Sequence, residues 1–315
     1  MIKRRFPGLD FAIEKDFTQI LTNPFMDIAA RFWEEPRYEA FRTCYRSMRR
    51  IDDLVDDRKA AGSPLVEQEQ VEYHAAISRW LENVRHKSPE DSYTAELLAT
   101  LDRFVIPLWP WERLCQAMTF DLENDGFATF RGFLRYTEGA AVAPAAVFVH
   151  LCGVTETEGN ACRPPSFDIR QAARPLALFA YLVHIMRDFQ KDQLRGLNYF
   201  ADDLVAAHSL GRGDLRRAAD NGQIPTGLRN LFEQYRKIAG YYLRKARGRL
   251  DCLTEVLQPR YMLSLEVIYG LYSLVYERID PCKGTFSEKE LNPGPIEIQT
   301  RLQEIIADFK VDNEL

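Results

Sequence analysis

One segment of the sequence places a phenol, a guanidinium and two carboxylates at helical spacing. Tyr45, Arg49, Asp52 and Asp56 fall within about 60° of one another if each residue turns an α-helix by about 100°. The four side chains would therefore form one column along a single helix face. The carboxylates of Asp52 and Asp56 lie one turn apart, and their repulsion costs roughly a few tenths of a kcal/mol unless a cation lies between them.

A second segment repeats this pattern later in the chain. His184, Asp188 and Asp192 follow i, i+4, i+8 spacing, and Lys191 and Arg195 flank them. Apolar residues precede Asp188, so we predict that this helix runs through the core and turns its carboxylates inward. These apolar residues are Leu176, Leu178, Tyr181, Leu182 and Ile185.

Either column alone is typical of a solvated, salt-bridged helix face. Two such columns, each accompanied by arginine, instead favour a cleft in which hard cations connect carboxylates to phosphate oxygens. Magnesium prefers oxygen ligands and usually binds through one or two carboxylates plus the phosphates of a substrate. Arginine supplies bidentate contacts to phosphate. The sequence therefore predicts a magnesium site for a phosphorylated substrate.

The elements that must position these columns are long helices. We find no sustained alternation of β-branched and polar residues, whereas helical periodicity recurs along the whole chain. Helices are predicted over residues 38–57, 66–85, 94–104, 111–123, 130–152, 169–195, 226–257, 261–279 and 296–309. The breaks between them are too short for an interdomain linker, so we predict an all-α bundle formed by a single domain over residues 1–315.

The composition is that of an ordinary globular protein, with 46% apolar and 28% charged residues. The longest apolar run, 140–154, is shorter than the roughly 18 residues that span a bilayer, and it contains Pro144 and His150. The N-terminus is basic but no apolar run follows it, so we expect a cytoplasmic protein, with peripheral membrane contact left open. The net charge of −5 argues against a general affinity for nucleic acid. The six cysteines lack metal-binding spacing and are expected to be buried free thiols.

The two columns resemble the aspartate motifs of the squalene/phytoene synthase family. Residues 45–56 are similar to the first motif of that family. Residues 187–192, followed by Gly196, Tyr199 and Phe200, are similar to the second motif. The order and the separation of the two motifs also fit.

Further residues extend this resemblance over most of the chain. Asp121 lies where the family carries another acidic residue, and Tyr136 lies in a segment similar to its tyrosine-bearing core helix. Tyr269 resembles the tyrosine of a C-terminal helix. The fold implied is the helical bundle of isoprenoid synthases, built around a central cavity.

The resemblance also implies roles for individual residues. It implies that magnesium ions are held by Asp52, Asp56, Asp188 and Asp192. It implies that substrate contacts are made by Arg49, Arg187, His184, Lys191 and Arg195. It implies catalytic roles for Tyr45, Arg49, Tyr136, Tyr199 and Tyr269.

The reaction implied is the head-to-head (1'-1) condensation of two prenyl diphosphates, either farnesyl or geranylgeranyl. It would proceed through a cyclopropylcarbinyl diphosphate to a squalene- or phytoene-type product and release diphosphate. Hydride, proton loss or water could end the reaction, so NADPH is a possible cofactor but is not indicated. The sequence leaves the chain length of the substrate and the oligomeric state open.

Three positions depart from the family pattern. His184 replaces an asparagine that usually completes the metal-binding column, and imidazole is a poorer magnesium ligand than an amide oxygen. Leu197 occupies the place of an expected arginine, for which Arg195 is close enough to substitute. Pro144 replaces part of a glycine-rich turn in the core helix, and we expect it to kink that helix and free a carbonyl.

Two other functions remain as alternatives. A terpene synthase-like enzyme would ionise one prenyl diphosphate and never couple two, and His184 and Pro144 favour it. A non-catalytic relative of the same fold could serve as an assembly factor. Such proteins typically lose motif aspartates, whereas all four remain in this chain.

Overall fold

The structure, a computed structural model, describes residues 16–60, 66–157 and 161–314. This part of the chain is mostly helical and has almost no strands, which confirms the predicted all-α class. The α-helices are α1 (Phe25–Ala30), α2 (Glu35–Ala60), α3 (Glu67–Arg85), α4 (Ser92–Arg103), α5 (Trp109–Glu123), α6 (Phe130–Thr137), α7 (Ala143–Gly153), α8 (Ile169–Arg187), α9 (Phe189–Leu194), α10 (Asp202–Ala207), α11 (Arg212–Asn221), α12 (Thr226–Leu253), α13 (Pro259–Arg278), α14 (Glu288–Leu291) and α15 (Pro295–Glu314). A 3-10 turn lies at Thr18–Ile20, a π-helical segment at Glu138–Val142, and a two-residue antiparallel pair at β1 (Thr155–Glu156) and β2 (Cys162–Arg163).

Most of the helices predicted from periodicity are present, with ends shifted by a few residues. Two predictions of continuous helices are wrong. The predicted helix 130–152 consists of α6, the π-helical segment and α7, and the predicted helix 169–195 is divided at Asp188 into α8 and α9. The sequence also missed α1, α10, α11 and α14, which have ten residues or fewer and are too short for a clear periodic pattern.

Helix α8 forms the centre of the described part of the bundle. Asp168 begins it by accepting a hydrogen bond from the Gln171 N–H at 3.0 Å. The helix packs along α12 and also contacts α7 and α13. Its residues Leu178, Phe179 and Leu182 are fully buried. Because α8 is buried on several sides, the apolar residues before Asp188 occupy more than one face of the helix.

A buried arginine joins α2 to the end of α7. Arg37 donates hydrogen bonds to the carbonyl oxygens of Leu151 and Val154 at 2.8 and 3.0 Å. Its Nε lies 2.9 Å from Glu34, and its guanidinium lies over the ring of Tyr261 at 4.3 Å. The two hydrogen bonds and the ion pair with Glu34 offset part of the cost of burying this guanidinium. The clamp fixes the start of α2, the helix that carries the first aspartate column.

The π-helical segment Glu138–Val142 immediately precedes Pro144. Proline has no N–H to donate within a helix, and here the backbone widens for one turn. Glu138 fixes the segment to α8, because it accepts hydrogen bonds from Arg170 at 2.7 Å and from Arg174 at 2.6 Å. The kink expected at Pro144 therefore takes the form of a π-helical turn.

The cysteines are free thiols in the described residues, as expected. Their expected burial is confirmed for Cys44, Cys115 and Cys152, whereas Cys252 and Cys282 are exposed. In the described residues no helix is long and apolar enough to cross a membrane.

Gly139 allows the π-helical segment to approach α5 closely. A Cβ at this position would lie 2.2 Å from the Arg113 carbonyl oxygen and 2.7 Å from the Ala117 Cβ. Both distances are far below van der Waals contact, and the first neighbour is rigid backbone. The close approach therefore requires glycine.

We expect Gly139→Ala to lower the free energy of unfolding by about 1–3 kcal/mol, because the helices must separate. The matched control is Gly248→Ala on α12, where an added Cβ meets no atom within 4 Å. This control should raise stability by up to about 1 kcal/mol. Urea denaturation measures both, and equal stability of the two variants would contradict the proposed close packing.

Candidate active site

A cavity of about 420 Å³ lies between the helices that carry the two aspartate columns. Its polar end is lined by Arg49, Asp52, Asp56, Asp188, Lys191 and Asp192. Its apolar part is lined by Ala141, Pro144, Ala173, Ala177, Leu250 and Leu265. The cavity is therefore divided into a charged region and a hydrocarbon-like region.

The first column lies on α2 as the spacing predicted, and all four of its residues line the cavity. Arg49 donates to Asp52 at 2.6 Å and also contacts Asp53. Burial and, after it, the charge of Asp56 raise the pKa of Asp52 to about 7 against the opposing charge of Arg49. Burial also raises the pKa of Tyr45. The column is thus a set of poorly solvated, mutually repelling carboxylates.

The second column is divided between two helices. Asp188 ends α8 and precedes α9, and Asp192 follows one turn later. Burial alone would raise the pKa of Asp188, but hydrogen bonds from Arg187 at 2.6 and 3.1 Å keep it below its usual value. Burial raises the pKa of Asp192 to about 7, followed by the charge of Asp188 and that of Asp56 across the cavity. The two columns therefore interact electrostatically.

His184 lies between Arg187 and Asp188. Its Nδ1 is 2.9 Å from a guanidinium nitrogen of Arg187, which can only donate, so Nδ1 accepts. The proton then resides on Nε2, which lies 3.4 Å from Asp188. Burial, followed by the nearby charge of Arg187, lowers the pKa of His184 to about 4. Although 41% of the side chain is accessible, it faces the cavity, where surrounding protein limits its solvation.

These contacts place His184 and Arg187 beside Asp188. Nδ1 of His184 is engaged with Arg187, and Nε2 faces Asp188 at 3.4 Å, an arrangement that favours neither direct metal ligation nor an imidazolium contact to diphosphate. Arg187 does not line the cavity, so the predicted direct contact of its guanidinium with substrate has no support from its position. Lys191 and Arg195 do line it, and so does Leu197, at the position where an arginine was expected.

Tyrosines separate the charged region from the apolar region. Tyr136 and Tyr199 line the cavity as predicted. Tyr269 does not: Arg247 lies over its ring at 5.2 Å, away from the cavity, so the catalytic role predicted for it is unsupported. Tyr272 lines the cavity instead, three residues later on α13. Tyr272 lies within one turn of Tyr269 and could have been considered with it from the sequence, but only the packing of α13 shows which of the two faces the cavity.

The sequence also missed the role of Tyr181, which it treated as part of an apolar stripe. Tyr181 lines the cavity one turn before His184, and their rings are parallel within 7° at a centroid distance of 6.2 Å. Another cavity phenol, Tyr136, donates a hydrogen bond at 3.1 Å to the buried carboxylate of Asp121.

The carboxylates fit a site completed by cation and diphosphate together. In the part of the chain that the structure describes, no three His, Cys, Asp or Glu side chains are close enough to enclose a metal ion. Magnesium commonly relies on one or two carboxylates and takes its other ligands from substrate phosphates and water. The raised pKa values of Asp52 and Asp192 show that negative charge at these positions lacks compensation.

Comparison with known proteins agrees with this architecture. The family model described as squalene/phytoene synthase matches residues 27–288, so the chain belongs to the squalene/phytoene synthase family, whose phytoene and dehydrosqualene synthase members are prenyltransferases. It is 26% identical over 217 residues to a 15-cis-phytoene synthase of Synechococcus elongatus, covering 68% of this chain and 67% of that protein. It is also 26% identical to phytoene synthase 1, chloroplastic, of Zea mays, covering 70% of this chain but only 50% of that protein.

Solved structures share the fold. A dehydrosqualene synthase in complex with ligand superimposes with a TM-score of 0.69 at 17% identity, covering 93% of this chain and 95% of that chain. The squalene synthase HpnC from Alicyclobacillus acidocaldarius gives a TM-score of 0.54 at 12% identity, covering 90% and 98%. At these identities the likeness shows the fold alone.

The raised pKa values of Asp52 and Asp192 predict how stability depends on pH without metal. The folded protein binds these protons more tightly than the unfolded chain, in which aspartate titrates near 3.8. Asp52 and Asp192 should therefore lower the free energy of unfolding of the metal-free protein as pH rises from about 4 to about 8, whereas His184 and His150, whose pKa values are lowered from 6.5, oppose this change at the acid end of the range. Asp52→Asn should reduce this decrease and be more stable than wild type above about pH 7.

Urea denaturation in the presence of EDTA across this pH range measures the effect. Asp102→Asn, at an exposed aspartate of α4, is the control and should leave the slope unchanged. Parallel curves for wild type and Asp52→Asn would show that Asp52 is well solvated.

We expect His184 to remain neutral over the physiological range. In metal-free protein its imidazole NMR signals, assigned by their loss in His184→Asn, should show no inflection between about pH 5.5 and pH 8 because its pKa is lowered to about 4. The nitrogen shifts should be those of the Nε2–H tautomer. An inflection near the ordinary histidine pKa would contradict the hydrogen-bonding arrangement given above.

Proposed function

We propose that the protein is a magnesium-dependent prenyltransferase that joins two prenyl diphosphates head to head. One observation carries the proposal. Two aspartate columns, on α2 and on α8–α9, line the same end of a cavity whose remainder is apolar. This arrangement supports a substrate with a diphosphate head and a hydrocarbon tail, and it agrees with the family of the chain.

The charged region would bind the diphosphate groups. Magnesium would be held by Asp52, Asp56, Asp188 and Asp192, and when bound it would neutralise the diphosphate and stabilise it as a leaving group. Arg49, Lys191 and Arg195 line the same region and would contact the remaining phosphate oxygens. Arg49 now pairs with Asp52 and Asp53, so it would exchange these partners for phosphate.

The apolar region would hold the hydrocarbon chains and exclude water from the cations. Ionisation of the donor would give an allylic cation, which the double bond of the acceptor attacks to form a cyclopropylcarbinyl diphosphate. A second ionisation and rearrangement would give a squalene- or phytoene-type skeleton. The faces of Tyr136 and Tyr199 would stabilise these cations, and the apolar wall would delay their capture by water.

The two features that favoured a single-substrate terpene synthase have structural explanations. His184 faces Asp188 with Nε2 and stacks on Tyr181. Pro144 follows a π-helical turn in the cavity wall. Neither feature is therefore an argument against coupling.

Product analysis tests the proposal directly. The protein is incubated with magnesium and either farnesyl or geranylgeranyl diphosphate, and the extract is analysed by mass spectrometry. We expect diphosphate release and a product with twice the carbon number of the substrate. A product with the carbon number of one substrate would establish the terpene synthase alternative, and no release of diphosphate would favour the non-catalytic one.

Asparagine substitution should separate metal binding from stability. We expect Asp52→Asn and Asp192→Asn to lower magnesium-dependent diphosphate release at least about 100-fold, because a metal ligand loses its charge. Their thermal stability without metal should equal or exceed that of wild type, since the repulsion within each column falls. Asp53→Asn, beside Asp52 but not on the cavity wall, is the matched control and should retain most activity. Near-normal activity of both column variants at ordinary magnesium would contradict the site.

A further inference from the structure

Tyr181 lies where the charged and apolar regions of the cavity meet. It precedes Asp188 by two helical turns on the same face of α8, which places it about 10 Å deeper along the helix axis. Its ring packs against those of His184 and Phe133, with centroid distances of 6.2 and 5.9 Å. These contacts restrict the ring and, with it, the position of the hydroxyl.

The Tyr181 side chain begins a path of polar side chains that leads away from the cavity. Tyr136 lies next to Tyr181, with ring centroids 6.5 Å apart. Tyr136 in turn donates to Asp121 Oδ2 at 3.1 Å. Asp121 lies on α5 and is only 3% exposed. Two phenols thus connect the cavity to a buried carboxylate.

The proposed coupling requires such an acceptor if it is to end by proton loss. The last carbocation must be discharged by hydride, by water or by loss of a proton from an adjacent carbon. A proton leaving the cation requires a base close to the apolar region. The carboxylates of the two columns are committed to the diphosphate end, and the nitrogens of His184 face Arg187 and Asp188 there.

We propose that Tyr181 is a catalytic residue that receives the terminal proton, so that the reaction ends in a polyene of the dehydrosqualene or phytoene type. This inference rests on the proposed function. The C–H bond beside the cation breaks, and its electron pair forms the new C=C bond. The proton passes to the Tyr181 oxygen, the Tyr181 proton to Tyr136, and the Tyr136 proton to the Asp121 carboxylate. No external reductant is consumed.

The charges around the cavity phenols favour Tyr181 over two of the others. Carboxylates lie near Tyr45 and Tyr272 as well, but the strongest charged neighbour of Tyr45 is Arg49 and that of Tyr272 is Arg187, and a neighbouring cation disfavours the uptake of a proton. The charges near Tyr181 are those of Asp121, Asp52 and Asp56, which attract one. Tyr199 also has acidic neighbours, so it is the rival acceptor within the cavity wall.

Tyr181→Phe tests the proposal with little risk to the fold, because it keeps the ring that packs on His184 and Phe133. The measured quantity is the yield of proton-loss product per diphosphate released, determined by mass spectrometry. We expect this ratio to fall at least about tenfold, with accumulation of cyclopropylcarbinyl diphosphate or of alcohols formed by water. Asp121→Asn should cause the same change, and the double variant no more than either single one, because both act on one path.

Tyr242→Phe is the matched control. Tyr242 is a half-buried phenol that packs outside the cavity against Val142, Ala177 and Leu178 and should leave the ratio unchanged. Tyr199→Phe should also affect it less than Tyr181→Phe.

Several results would overturn the inference. An unchanged ratio in Tyr181→Phe would assign the base to released diphosphate. A change confined to Tyr199→Phe would assign it to Tyr199. A wild-type product that is an alcohol, or that forms only with a hydride donor, would do the same while leaving head-to-head coupling intact. Absence of any coupled product would instead reject the proposed function itself.

Discussion

The carboxylates of Asp52, Asp56, Asp188 and Asp192 share one end of a cavity in which surrounding protein solvates them poorly. Their mutual repulsion is stronger there than in water because the local dielectric is lower. The site relieves this repulsion unevenly. Hydrogen bonds from Arg187 keep the pKa of Asp188 below its usual value, whereas burial and neighbouring carboxylates raise the pKa values of Asp52 and Asp192 to about 7. A divalent cation would bind these poorly stabilised carboxylates, and a diphosphate would supply its remaining ligands.

The rest of the bundle holds this electrostatically unfavourable arrangement in place. Arg37 fixes the start of α2 through the carbonyl oxygens that end α7. Glu138 fixes the π-helical segment to α8, and Gly139 lets the same segment contact α5. Helices that pack this closely cannot shift easily, so the two columns cannot move apart to reduce their repulsion. Burial of the apolar helix faces stabilises the fold and offsets the repulsion among the carboxylates of the two columns.

The tyrosines between the two regions of the cavity connect the chemistry of the head group to that of the chain. Tyr181 stacks on His184, which contacts Asp188. Its ring also lies 6.5 Å from that of Tyr136, which donates a hydrogen bond to Asp121. A substitution at His184 could therefore alter both the metal-binding column and the orientation of Tyr181. The histidine that replaces the usual asparagine at position 184 therefore affects the orientation of Tyr181 as well as the metal-binding column. The preference of magnesium for oxygen ligands alone would not suggest the first of these effects.

The sequence by itself determined the helical class, the two aspartate columns and the residues that share a face with them. These features follow from periodicity, because side chains four residues apart must lie together on any helix. Tertiary structure decided everything that depends on a neighbour from another helix. It placed Tyr272 rather than Tyr269 in the cavity wall, turned Arg187 towards Asp188, and divided α8 from α9 at Asp188. It also gave His184 its tautomer and Tyr181 its path to Asp121, because each depends on groups distant in sequence or on rotamers that spacing does not fix.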